Sequence, residues 1–95
     1  TPIRVTTTLG TNPFTTGAAS SAVVTVTAPS HGAVNGDFVT FSGATTTDGI
    51  TAAQLNKEHE LTLIDSNSYT ITTAGSASSG TTAGGGSSVV AVYQG

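Results

Sequence analysis

Two histidines and five carboxylates are the groups in this 95-residue chain from which acid–base, nucleophilic or metal chemistry would have to start. Ser30, His31 and Asp37 are the types of a hydrolytic triad. Such triads, however, are gathered from separate segments around an oxyanion site, and no G-x-S-x-G elbow is present. A turn after Pro29 accounts for them better, with the imidazole bonded to backbone across the loop. Lys57-Glu58-His59-Glu60 is the densest charged run, and a histidine with two carboxylates is a metal-ligand set. On a strand, consecutive residues point to opposite faces, so Glu58 and Glu60 share a side that His59 does not. Asp48-Gly49 and Asp65-Ser66-Asn67 look like pieces of calcium loops but lack the full ligand pattern and its closing glutamate, and turn chemistry explains both. Gly84-Gly85-Gly86 has no following Lys-Ser/Thr and no helix to open, so it reads as a loop and not as a phosphate cradle. The expectation is no catalytic, cofactor-binding or metal-ligating residue. Tyr69 and Tyr93, the rings able to stack on a sugar, fall at strand positions that usually pack at a core edge.

The elements that would position these groups follow from composition. Thr, Ser, Gly and Ala make up more than half of the chain and only seven residues are charged. Threonine fits the pleat through its branched Cβ and is a poor helix former. A net charge of −3, with Arg4 and Lys57 the only cations, offers no footprint for a phosphate backbone or an anionic membrane surface. Cysteine is absent, which removes disulfides and thiolate metal sites and leaves the redox compartment open. No apolar run approaches the roughly 20 residues of a membrane-spanning helix, and the opening residues have no signal-peptide form.

One module is expected over residues 1–95, a fragment or an inserted domain of a larger protein: a small antiparallel β-barrel or sandwich of five to six strands with one short helical turn. Strands are predicted at Ile3 to Thr8, Ala22 to Thr27, Asp37 to Phe41, Glu60 to Ile64, Ser68 to Thr73 and Ser88 to Tyr93. Val24 and Val26 should face one way, as should Val39 and Phe41. Leu9 to Ala19 reads as loop, with Phe14 tucked into a core edge. Asn35-Gly36-Asp37 supplies a tight turn. Thr51 caps a turn or two of helix that Ile50 and Leu55 pin to the core. Asp65-Ser66-Asn67 closes a hairpin whose buried face is Leu61, Leu63, Tyr69 and Ile71. Residues 74–88, all Gly, Ser, Ala and Thr, should bury almost nothing and be mobile or lie in solvent.

Pro29-Ser30-His31-Gly32 and Asn35-Gly36-Asp37-Phe38-Val39-Thr40-Phe41-Ser42-Gly43 together form the pattern H-G-x-x-x-G-D-φ-V-x-φ-S-G. With Leu55-Asn56, Glu60-Leu61-Thr62-Leu63 and Asp65 to Ile71, it resembles a small β-barrel module of phage structural proteins. That module is distantly similar to the first catalytic-cysteine half-domain of ubiquitin-activating enzymes. The edges, Thr1 to Leu9 and Val92-Tyr93-Gln94, resemble those of a segment in short-tailed phage proteins of the tail nozzle or stabilisation type. The resemblance implies no enzymatic activity and no cofactor, but a structural or interaction role in the virion, in the tail first of all. Its partners would be other virion proteins or copies of itself. A carbohydrate- or receptor-binding adhesin module, using Tyr69, Tyr93, Phe14 or the Gly84–Gly86 loop, and a capsid decoration domain are the alternatives. If the first and last strands pair, the ends lie close together, as insertion into a host loop requires.

Overall fold

The computed structural model describes residues 4–94, with side chains from residue 6 onward. In chain order the elements are β1 (Arg4–Thr8), β2 (Phe14–Thr16), β3 (Val23–Thr27), β4 (Phe38–Ser42), the helical turn α1 (Ala52–Leu55), β5 (Glu58–Glu60), β6 (Thr62–Asp65), β7 (Ser68–Thr72), β8 (Ala83–Gly84) and β9 (Val90–Gln94). The six longer strands, β1, β3, β4, β6, β7 and β9, fall on the six β-branched runs. Ile3, read as the start of the first, lies outside the described residues. The remaining three are short. Phe14–Thr16 forms inside what reads as a loop, because it pairs with β3 on one side and β8 on the other.

Every pairing is antiparallel, in two sheets ordered β1-β9-β4-β5 and β6-β7-β3-β2-β8. The architecture is a sandwich. Arg4 stands opposite Gln94, so the first and last strands pair along their whole length. Leu61 carries the chain from β5 in one sheet to β6 in the other and is fully buried at that corner.

Alternation along the strands fills the space between the sheets. Val39, Phe41, Ala91 and Tyr93 face inward from the first sheet, and Phe14, Val24, Val26, Tyr69 and Ile71 from the second. Two aromatic pairs bridge the sheets. Phe14 and Phe41 meet edge to face with centroids 4.9 Å apart. The rings of Tyr69 and Tyr93 meet edge to face at 5.9 Å and their hydroxyls are 3.0 Å apart. Phe14 is therefore a centre of the core and not a core edge. Leu63 departs from expectation in the other direction: it is opposite Tyr69 but 36% exposed. It lies on the outermost strand, next to a bulge between Leu63 and Asp65, where the facing sheet no longer covers it.

The capping box at α1 forms as its sequence requires, Thr51 Oγ1 accepting from the Gln54 amide and the Gln54 side chain accepting from the Thr51 amide. Ile50 and Leu55 on either side are fully buried.

Candidate functional site

The histidines are internal fixtures. His31 is buried, and its Nδ1 accepts the Ala33 amide at 3.0 Å, which leaves Nε2 to carry the proton it donates to the Asp65 carbonyl at 2.8 Å. Its ring stands edge-on to Tyr69 at 5.2 Å. Ser30 and Asp37 are elsewhere engaged: the Ser30 amide donates to Asn67 Oδ1, and the Asp37 carboxylate accepts from the Val34 amide. The three triad types thus end in a turn, with His31 bonded across the loop. Ring burial and bonding tie that loop to the β6–β7 hairpin.

His59 points into the core while Glu58 and Glu60 are exposed on the opposite face. Nε2 of His59 donates to the Leu55 carbonyl at 3.1 Å. Burial, with the Lys57 charge as a smaller influence, holds its pKa below the ordinary imidazole value; the Leu55 and Thr72 carbonyls oppose this in part. Asp65 works within the hairpin turn, Oδ1 accepting from the Asn67 amide and the Ser68 hydroxyl, and those bonds lower its pKa. Among the described residues no three His, Cys, Asp or Glu side chains gather as a metal cluster, and no buried side-chain nitrogen or oxygen lacks a partner.

Asp48 carries more than its sequence suggests. One carboxylate oxygen accepts from the Ser79 amide, the other from the Gly80 amide and the Thr16 hydroxyl, at 2.8, 2.8 and 3.0 Å. These donors, Ser79 first, lower its pKa. Residues 74–88 are therefore not a free loop. Besides Asp48, the Gly17 carbonyl accepts from Thr81, the Ala77 carbonyl from Ser20, and Asn12 exchanges two bonds with Gly86. Ala77 and Gly85 are buried. The only sequence signal for this was Asp48-Gly49, which reads equally well as an ordinary turn.

The rings proposed for ligand stacking, Tyr69, Tyr93 and Phe14, are all buried and present no face to solvent. The aromatic that is exposed is Phe38, on the outside of β4 beside Gln94 and Glu60. A shallow depression of about 220 Å³ is lined by Gly10, Thr11, Asn12, Pro13, Thr27 and Pro29, none of them charged or aromatic.

No protein-family model and no curated protein sequence matches the chain. Among solved structures, the fold is similar to part of the phage phi92 endosialidase, at 20% identity with a TM-score of 0.66. The likeness covers 99% of this chain and 13% of that one, so this whole sandwich corresponds to a small piece of a much longer protein.

Proposed function

We propose that the chain is a non-enzymatic structural or interaction module of a phage virion, placed in the tail. The observation that carries the reading is the match of this complete sandwich to a small piece of a phage protein. Phi92's protein is named as an enzyme, but most of the groups here that could do chemistry are bonded within the fold: both histidines are, and Asp37, Asp48 and Asp65 accept amides in its turns, while Glu58 and Glu60 stand exposed on the face away from His59. Low charge suits close packing against neighbours, since each desolvated ion would need a partner. Adjacent β1 and β9 let a host chain enter and leave on neighbouring paths, as an inserted module needs.

Immunogold labelling of purified particles, using an antibody against the folded module, is expected to mark tails. Label confined to the lysed cell and missing from particles would overturn the reading.

A further inference from the structure

The two outer faces of the sandwich differ in chemistry. On the second sheet, Thr62, Thr70, Thr25 and Thr15 stand side by side across four strands, with Ser68, Thr72 and Thr27 in the flanking rows; its exposed apolar side chains, Val23 at the start of β3 and Ile64 on the edge strand β6, stand apart from one another and form no strip. Hydroxyls exposed to solvent hydrogen-bond water, so covering them gains little. On the first sheet, Phe38 is 42% exposed, and Val92 and Val90 on the adjoining strand are only half-buried. The register sets Val92 between Thr6 and Thr40, and Val90 between Thr8 and Ser42. Phe38 is diagonal to Val92, a spacing of about 7–8 Å that an aromatic ring spans. An apolar strip therefore runs down β4 and β9 in the middle of a four-stranded face.

We propose that this face binds a second copy of the chain across a two-fold axis parallel to the strands. Margin chemistry selects both the occupant and the axis. Glu58 and Glu60 line the β5 margin, exposed Thr6 and Thr8 the β1 margin. A two-fold axis perpendicular to the strands would lay glutamate on glutamate. The parallel axis exchanges the margins, so each copy's carboxylates meet the other's hydroxyl donors while the strips meet at the centre. The surface is thus complementary to itself, as an isologous contact requires.

Its size sets the strength. Three strands of five residues and one of three span at most roughly 19 by 16 Å, no more than about 300 Å² per copy, well below the ~800 Å² per partner of a standard stable interface. Association is accordingly weak, with half-dimerisation at about 0.1–1 mM, and becomes firm only where a larger assembly holds copies together. This proposal deepens the virion reading, and its biological setting rests on that reading.

The test is self-association of the purified 95-residue chain. Sedimentation equilibrium from about 0.02 to 2 mM is expected to show a monomer–dimer equilibrium, abolished by Phe38→Lys and, separately, Val92→Lys, and unaffected by Thr25→Lys on the other face. Because the chain has no cysteine, Thr40→Cys and Thr25→Cys each report one face. A short bismaleimide should link Thr40→Cys copies at least about tenfold faster, and Phe38→Lys should remove the difference. Amide dispersion in NMR spectra confirms that each variant is folded. A monomer at 2 mM, or equal linking from both faces, overturns the proposal. Tail labelling that succeeds alongside such a result leaves the virion module standing with a different partner.

Discussion

At the scale of single residues, burial favours the neutral forms of His59, Tyr69 and Tyr93, and pH reads that preference. His59 has a folded pKa below the ordinary 6.5 because burial opposes its charged form. Between the folded and unfolded values the unfolded chain binds more protons, so stability rises with pH through that window and is lost as pH falls below about 6.5. Urea unfolding should therefore show a lower midpoint at pH 5 than at pH 7.5. His59→Gln, which keeps a donor for the Leu55 carbonyl but cannot titrate, should remove most of that slope; an unchanged slope would place the pH dependence elsewhere. The tyrosine pair responds at the opposite end. Burial raises both Tyr69 and Tyr93, so the stability that rests on the neutral pair is fully present below about pH 10 and is lost as pH climbs into the range where unfolded tyrosine ionises and the folded pair does not. Removing either hydroxyl leaves the other buried without its partner. Tyr69→Phe and Tyr93→Phe should each cost about 1–3 kcal/mol, and the double variant clearly less than their sum, in a denaturation double-mutant cycle.

At the scale of elements, Asp48 links a segment with almost no apolar side chains to the sandwich. Its lowered pKa means the carboxylate contribution is present above the ordinary value of 3.8 and fades as pH falls through the folded one. Asp48→Asn keeps a similar shape but weakens the charge-assisted bonds. Amide hydrogen exchange at Ser79 and Gly80 should accelerate in that variant, with β3 and β7 unchanged; equal rates would mean the remaining backbone bonds suffice. Gly80 depends on the same docking: it holds φ +84°, and an added Cβ would lie 2.5 Å from the Ala19 amide nitrogen. This is also where the sequence stops being readable. The six longer strands were legible because Val, Ile and Thr alternate with a period of two, and the hairpin and helix cap because their turn residues act locally. Strands β2 and β8 were not. Phe14–Thr16 and Ala83–Gly84 become extended only by pairing with neighbours distant in sequence, and nothing in Gly/Ser composition records which carbonyl an amide will meet. Counting apolar residues gave residues 74–88 no reason to be ordered; counting backbone donors and acceptors would have asked where they go.

At the scale of the whole molecule, the topology makes a claim independent of any partner. Because Arg4 is paired with Gln94 at the open end of the β1–β9 ladder, the chain can be closed there without crossing the molecule. Joining Gly95 to Thr1 directly leaves four residues, Gly95, Thr1, Pro2 and Ile3, between the two strands, within the usual length of a hairpin connection. The new ends can be opened between Gly10 and Thr11, which are exposed, and an added Cβ at Gly10 would meet nothing within 4 Å. This permutant converts β9 and β1 into a hairpin and frees the link between the two sheets at β1–β2. It should fold with the same far-ultraviolet spectrum and lose no more than about 1–2 kcal/mol in urea unfolding, as openings at exposed loop tips generally do. A permutant that fails to fold would show that the covalent β1–β2 crossover holds the sheets together. The module would then need its own free ends, and insertion into a host chain would lose its structural basis. A stable permutant, by contrast, would establish that the sandwich is held by the pairing of β1 and β9 and by the Phe14–Phe41 and Tyr69–Tyr93 bridges. That is the property a module inserted in a longer chain would need.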